Sequence, residues 1–521
     1  MALQLGTPQQ AAQWLRSHVI GTLGSDSRSL GAGDGFVATP GAVVDGRQFV
    51  PQALRQGVSA CLVEADGLQA FGLTDTRVAA YAGLKADAGA IADAFFDHPS
   101  QQLAVIAITG TNGKTSTAWW LAQALSALPG ALAQPCAVVG TLGVGQPPLA
   151  NAQADGATAH PLATLRATGM TTPDAVSLHT HLQQFVKDGL RACALEASSI
   201  GIEEGRINGL RIRVAVFTNF TQDHLDYHSS MQAYWDAKRR LFAWPGLQSA
   251  VINIDDAKGA ALADALRQSQ PALDLWPTSC SNATHTSARL RAQNITLNST
   301  GLRFDLVEGN QVQSLQSQVI GGYNVANLLG VIASLRALGV DLGDAVAVCA
   351  RLRAVPGRLE CVGGQDAPLV VVDYAHTPDA LAQTLDALRP LAQQRAGQLW
   401  CVFGCGGDRD ADKRPLMGAI AGAKADQIVI TSDNPRSEKP AAIVAHILAG
   451  LAGQPQPEVQ VDRGAAIASA IARAKATDVI LLAGKGHEET QDTAGIKTAF
   501  SDRDHALQAL QARRPRPEAR A

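Results

Sequence analysis

The sequence predicts an α/β protein of several domains with mostly parallel sheets. Three observations carry that reading. The chain has 521 residues, about three times the usual domain of roughly 150, so two to four domains are expected. Short apolar runs alternate with segments of helical periodicity along its length, the pattern of βα units. One glycine-rich, lysine-bearing turn stands directly between such a run and such a helix.

The apolar runs read as buried strands over residues 103–108, 192–197, 214–219, 250–254, 369–373, 399–404, 427–431 and 479–483. Helices are predicted over 116–128, 379–391 and 441–451, and over 323–353 with a bend near Gly339. A new strand after His98-Pro99, and a Pro356-Gly357 turn after the long helical stretch, set two boundaries. The expected domains are therefore 1–98, 99–354 and 355–521. Residues 147–169, rich in Ala, Pro and Thr, read as a long surface loop, and 513–521 as a frayed tail.

Composition excludes several function classes. Apolar residues are 46% and charged residues 17%, enough to fill several cores and unlike a disordered chain. Lys plus Arg number 43 against 46 for Asp plus Glu, a net charge of -3, so no broad cationic surface for nucleic acid or anionic lipid is expected. Any phosphate affinity must be local. The longest uncharged stretch, 115–154, is broken by Pro129, Pro135, Pro147 and Pro148, which argues against membrane insertion. Residues 1–16 lack a basic segment followed by an apolar run, so no secretory signal and a cytoplasmic location are expected. The eight scattered cysteines are read as reduced structural thiols.

The sharpest chemical signal is Thr109-Gly110-Thr111-Asn112-Gly113-Lys114-Thr115. Glycines let backbone N–H groups converge on phosphate oxygens, and the helix N-terminus adds positive potential. Lys114 would neutralise the β- and γ-phosphates of ATP, and the Thr115 hydroxyl can ligate Mg²⁺. The loop is shorter than the general pattern, because Ile108 stands where that pattern has its first glycine. Acidic metal ligands are expected at neighbouring strand ends. Glu196 in Leu195-Glu196-Ala197-Ser198-Ser199 and His224 in Asp223-His224-Leu225-Asp226 are the candidates. By residue type alone, Glu196 equally suits a surface or capping role, and His224 a neutral hydrogen-bonded one.

The segments ITGTNGKTS, LEASS, TNFTQDHLDYH, GGYNVAN, VPGRLE, DYAHTPDAL, FGCGGDRDADKRP, TSDNPRSEKP and GKGHEE follow one another along nearly the whole chain. In kind and order they resemble the Mur ligases of bacterial peptidoglycan synthesis, most closely the branch that adds the third amino acid of the peptide. The resemblance implies an N-terminal α/β nucleotide-sugar domain, a central P-loop-type ATPase domain with a mostly parallel sheet, and a C-terminal Rossmann-like domain that brings the amino acid. It implies an ATP-dependent amide ligase that phosphorylates the γ-carboxylate of UDP-N-acetylmuramoyl-L-alanyl-D-glutamate and lets the amine of meso-diaminopimelate attack the acyl phosphate. A monomer that binds no nucleic acid is expected.

The same resemblance implies roles for particular residues. Thr115 and Glu196 would ligate one Mg²⁺; His224 and a carbamylated Lys238, in Tyr234-Trp235-Asp236-Ala237-Lys238, would hold a second. On its residue type alone Lys238 suits a solvated helix charge beside Arg239 and Arg240. Asn324 and Asn327 would read adenine, with Tyr323 standing where the family usually has Phe. Arg358 and Asp373 would contact phosphate and ribose. Asn327 equally suits a helix-capping amide, and Asp373 a strand-end turn. Ser27 would contact the UDP group, and Thr171, Thr172, Ser198 and Arg206 the muramoyl dipeptide. Ile200 departs from the His that many relatives carry there.

Acceptor choice would fall to Asp433-Asn434-Pro435-Arg436 with Arg409, Gly484 and Glu488. The Arg436 fork suits the distal carboxylate of diaminopimelate, and Glu488 its distal ammonium. The alternatives are an L-lysine-adding ligase of the same family and a folylpolyglutamate synthase-like ligase.

Overall fold

A computed structural model describes residues 2–41, 44–149, 162–225, 227–281, 287–298, 301–364, 366–452 and 456–513. The centre of the loop expected at 147–169 and nearly all of the tail expected at 513–521 lie outside the described residues. Contacts divide the chain into two units, Met1–Arg291 with Leu329–Val348 and Ala292–Leu328 with Cys349–Ala521.

The first unit contains two sheets. One is fully parallel, in the order Leu3–Leu5, Val78–Tyr81, Ala60–Glu64, Gly35–Ala38, Leu23–Gly24. The other runs in parallel through Asp274–Ser279, Ser249–Asn253, Val214–Phe217, Ala104–Thr109, Ala192–Glu196 and Cys136–Gly140. Every residue of Val214–Phe217, Ala192–Glu196 and Cys136–Gly140 is buried. A strand covered on both faces needs apolar residues without alternation, which is why Val214–Phe217 and Ala192–Glu196 were visible in the sequence; Cys136–Gly140 is a further strand of this kind that the sequence reading left out. Gly143–Gly145 and Leu165–Arg166 extend the sheet by antiparallel pairing. The segment expected as uniform loop therefore contributes a short strand, its backbone groups satisfied by Gly143–Gly145.

Two helices of this unit show how their starts are fixed. Lys114–Ser126 starts two residues before the predicted helix because Gly113, at φ 84°, takes the left-handed turn that leads into it. Ala175–Lys187 is capped by Asp174, whose carboxylate accepts from the backbone N–H groups of Val176 and Ser177 at 3.1 Å each. Asp174→Ala should lower unfolding stability by about 1 kcal/mol, read from denaturant melts, because it strips two helix N–H groups of their acceptor. An unchanged midpoint would deny the cap its role.

In the second unit a six-stranded sheet runs Glu360–Gly363, Leu369–Asp373, Val479–Ala483, Leu399–Phe403, Gln427–Ile430, Glu458–Val459, parallel except for the first pair. Leu369–Asp373 and Val479–Ala483 coincide with their predicted bounds. Gly301–Glu308 pairs antiparallel with Gln311–Ser317, strands that the apolar-run criterion does not find. Their buried residues, such as Phe304, Leu306 and Leu315, alternate with polar ones because only one face is covered. Arg463 and Asp502, both fully buried, form a two-bonded ion pair at 2.7 and 2.6 Å that ties the helix Asp502–Arg513 to the sheet side. Among the described residues no helix is long and apolar enough to cross a membrane, and all eight cysteines are unpaired.

Candidate active site

The loop between Ala104–Thr109 and Lys114–Ser126 is held open by a second strand end. Thr218 Oγ1 donates to Asn112 O at 2.6 Å, Asn219 Oδ1 accepts from Asn112 N at 2.8 Å, and Thr221 N donates to Thr111 Oγ1 at 3.0 Å. Gly110 sits at φ 144°, and a Cβ there would collide with the Thr218 hydroxyl, so glycine is required. Lys114 Nζ donates to the carbonyls of Gly110 at 2.9 Å and Thr111 at 2.8 Å. The loop thus sets an ammonium beside the N-terminus of Lys114–Ser126, where a helix leaves its first N–H groups without intrahelical partners, an arrangement suited to a polyphosphate.

Glu196, almost fully buried, joins this loop to its other neighbours. Its Oε2 accepts from Thr115 Oγ1 at 3.0 Å and Thr141 Oγ1 at 3.2 Å, and its Oε1 from Thr141 N at 2.9 Å. Thr141 Oγ1 lies 3.1 Å from Thr171 Oγ1. Thr172 Oγ1 donates to the Glu196 carbonyl at 2.7 Å and is 3.0 Å from Ser198 Oγ. Arg206 Nη1 donates to the Thr172 carbonyl at 3.0 Å. Thr115 and Glu196, expected at one Mg²⁺, and the four residues expected at the dipeptide are therefore one connected group. Ser27 lies apart, buried in the short helical turn Ser27–Ser29 that Asp26 caps.

Thr115 and Glu196 offer an alcohol and a carboxylate oxygen side by side, which suits Mg²⁺, an ion that takes few protein ligands and completes its shell with water and phosphate. No group of three His, Cys, Asp or Glu able to hold a metal occurs among the described residues. Lys238 is buried, not solvated: its Nζ donates to the Gly110 carbonyl at 2.7 Å and stands 4.3 Å from the centre of the Tyr234 ring. Burial first, and the Lys114 ammonium second, push its amine far below the ordinary lysine range. His224, in the left-handed region at φ 53°, packs its ring 5.9 Å from the same Tyr234 ring, beside Asp223. Tyr234 OH is in turn 3.2 Å from Thr111 Oγ1. Mg²⁺ takes oxygen ligands in preference to an amine nitrogen, so a second such metal at His224 and Lys238 requires the lysine to be modified.

The second unit carries the residues expected at base and ribose. Asn327 Nδ2 donates to Asn324 Oδ1 at 2.9 Å, and Asn324 Nδ2 to the Ile320 carbonyl at 2.7 Å, so both buried amides are oriented by the chain itself. Asp373 accepts from Leu359 N at 2.8 Å and Ala375 N at 2.9 Å, a turn-forming use of both oxygens, and burial raises its carboxyl above the usual range. Arg358 stacks 4.4 Å over the Tyr374 ring. His487, 5.2 Å from that ring, is pushed down to about 3 by burial and by Arg358 and Lys485, so it is neutral at ordinary pH.

The segment 433–436 and the turn 484–490 meet in this unit. Asn434 Nδ2 donates to Glu488 Oε2 at 2.7 Å, and Lys485 Nζ donates to the same oxygen at 2.8 Å. Gly484 is at φ 114° and a Cβ there would crowd Asp433 Oδ2. Arg436, at φ 50°, is half-buried; its Nη1 donates to the Gly407 carbonyl at 2.6 Å. Its backbone is stitched to the hairpin Thr490–Thr493/Ile496–Ala499, by Arg436 N to Asp492 O at 3.0 Å and Ala494 N to Arg436 O at 2.7 Å. Pro435 is buried between them and Arg409 is exposed.

Thr141, Thr218, Asn219, Thr221, Tyr234 and Lys485 belong to these networks and are absent from the sequence-based candidates. Thr218, Asn219, Thr221 and Lys485 stood in the motifs TNFTQDHLDYH and GKGHEE, and Tyr234 one helical turn before Lys238. Thr141 had no signal, since only the fold brings it to Glu196.

Three family models match the chain: "Mur ligase family, catalytic domain" over residues 19–93, "Mur ligase middle domain" over 108–335, and "Mur ligase, glutamate ligase domain" over 357–486. A UDP-N-acetylmuramoyl-L-alanyl-D-glutamate--2,6-diaminopimelate ligase of Acidovorax sp. (strain JS42) is 55% identical over 510 residues, covering 97% of each chain. A relative of the same name from Pseudomonas aeruginosa is 43% identical over 497 residues, covering 95% of this chain and 96% of its own. Among solved structures, one with that name matches at a TM-score of 0.64 and 33% identity over 94% of each chain. A Mycobacterium tuberculosis folylpolyglutamate synthase matches at a TM-score of 0.56 and 20% identity over 75% of this chain and 91% of its own, a likeness of fold.

Proposed function

The chain belongs to the Mur ligase family, and from that premise we propose that it joins meso-diaminopimelate to the γ-carboxylate of UDP-N-acetylmuramoyl-L-alanyl-D-glutamate at the expense of ATP. It is an ATP-dependent acid–amino-acid ligase of peptidoglycan synthesis. The observation that carries the reading is the Glu196 node, where one buried carboxylate touches the phosphate-loop hydroxyl of Thr115 and, through Thr141, the Thr171 hydroxyl. Phosphorylating a carboxylate requires the γ-phosphoryl group and that carboxylate to meet in line, and a shared anchor for both binding groups supplies the proximity.

The chemistry follows from what a carboxylate lacks. It is a poor electrophile until one oxygen becomes a leaving group, and two anions must approach for that to happen. Lys114 and the loop amides offset the phosphate charge. Thr171, Thr172, Ser198 and Arg206 orient the dipeptide, with Ser27 at the UDP end. Mg²⁺ held by Thr115 and Glu196 would polarise the phosphoryl oxygens. Asn324, Asn327, Arg358 and Asp373 are assigned to the nucleotide, and Asp433, Asn434, Pro435, Arg436, Arg409, Gly484 and Glu488 to the acceptor. The three family matches fall within 1–98, 99–354 and 355–521, which we take as the domains. The same reading places the enzyme in the cytoplasm, where ATP is available, as a monomer.

The buried, low-pKa amine of Lys238 supports its carbamylation, since the neutral amine is the form that adds carbon dioxide. Lys238→Ala should slow turnover at least about 10²-fold and be partly rescued by acetate or formate, which restore an oxygen ligand. Phosphate-release rates with and without the carboxylate check this; a fully active variant denies the lysine a metal-binding role. The reading as a whole is tested by phosphate release with ATP and the UDP-dipeptide, comparing meso-diaminopimelate, L-lysine and L-glutamate. Preference for lysine would move the function to the lysine-adding branch, and preference for glutamate to a folylpolyglutamate synthase-like ligase.

A further inference from the structure

Lys485 is fully buried and charged, and no role assigned above uses it. Its ammonium has three N–H bonds and meets three acceptors: Asn434 Oδ1 at 3.0 Å, Glu488 Oε2 at 2.8 Å and the Thr490 carbonyl at 2.8 Å. A saturated ammonium holds no substrate group, so its effect passes through its partners. Asp492 N also donates to Asn434 Oδ1, at 3.0 Å. Two donors on one atom leave that amide a single orientation, with Nδ2 given to Glu488 Oε2 at 2.7 Å. Glu488 Oε2 therefore takes two donors, while Oε1 accepts no hydrogen bond among the described residues.

From this juxtaposition we infer that Lys485 is a positioning residue for acceptor specificity: it fixes the Asn434 amide and reserves Oε1 of Glu488 for the distal ammonium of the incoming amino acid. The inference rests on the acceptor site proposed above. It also opposes a simple charge argument. Removing a cation beside Glu488 would strengthen attraction for a second cation if only charge mattered. If position matters, the freed carboxylate loses its geometry and binding weakens.

The test is a double-mutant cycle of Lys485→Met and Glu488→Gln in the full-length enzyme, with Lys485→Gln as a second probe of the lysine. Lys485→Met should raise the KM for diaminopimelate at least about 10-fold, with kcat within about threefold and the KM values for ATP and UDP-dipeptide within about twofold. The double variant should be no worse than about twofold beyond the weaker single, because the lysine acts through the carboxylate. An unchanged or lowered KM in Lys485→Met, or effects that multiply in the double variant, would overturn the inference. Loss of the folded melt in both lysine variants would overturn it too, by assigning Lys485 to the fold. If Glu488→Gln itself left the KM unchanged, the acceptor-site reading would have failed and the inference with it.

Discussion

Wild-type enzyme should use meso-diaminopimelate over L-lysine by roughly 10⁴-fold in kcat/KM, because a site built to bind a polar group rejects the analogue that lacks it. Diaminopimelate brings a distal carboxylate that lysine does not have. Among the described residues only Nη1 of the Arg436 fork makes a hydrogen bond, to the Gly407 carbonyl. A half-buried guanidinium with donors to spare is suited to bidentate capture of that carboxylate. With lysine bound, those donors would be desolvated and unmatched. Arg436→Ala should raise the KM for diaminopimelate far more than that for ATP and narrow the preference over lysine. Initial rates with both acceptors check it; equal use by the wild type, or an unchanged ratio in the variant, would put the pocket elsewhere.

Lys114→Ala should fold as the wild type does and turn over about 10³-fold more slowly, the scale of losing one preorganised charge at a reacting oxyanion. The loop should survive the loss of the lysine's two carbonyl contacts, because Thr218, Asn219 and Thr221 continue to hold it. Superimposable thermal melts with absent phosphate release are the expected pair of results. A variant retaining more than about a third of the wild-type rate would remove Lys114 from the phosphate site.

Legibility in the sequence followed covalent continuity and burial. The proposed phosphate loop is seven consecutive residues, so it stands out in the sequence as one unit. The strands Leu369–Asp373 and Val479–Ala483 were visible because both faces are covered, whereas Gly301–Glu308 and Gln311–Ser317, covered on one face, hid their apolar residues among polar ones. Residue type misdirected at Lys238, which reads as a surface charge beside Arg239 and Arg240 until the helix Met231–Arg239 turns it against Tyr234 and the Gly110 carbonyl. Thr141 is 55 residues from Glu196, and only sheet order makes them neighbours. At Asp373 the turn-forming use is present whatever else the carboxylate does.

The stitching of Arg436 to the hairpin has a consequence for how acceptor choice is inherited. The four residues 433–436 look like a portable cassette, yet the arginine's backbone angle is set by Asp492 and Ala494, and its neighbour Asn434 is oriented by Lys485 and Asp492. The proposed specificity element is thus split between two stretches nearly fifty residues apart in sequence, about 433–436 and 484–494. A chimera built by moving the first stretch alone would carry the side chains without the scaffold that aims them. On the proposed assignment, a change of acceptor calls for paired changes in both stretches.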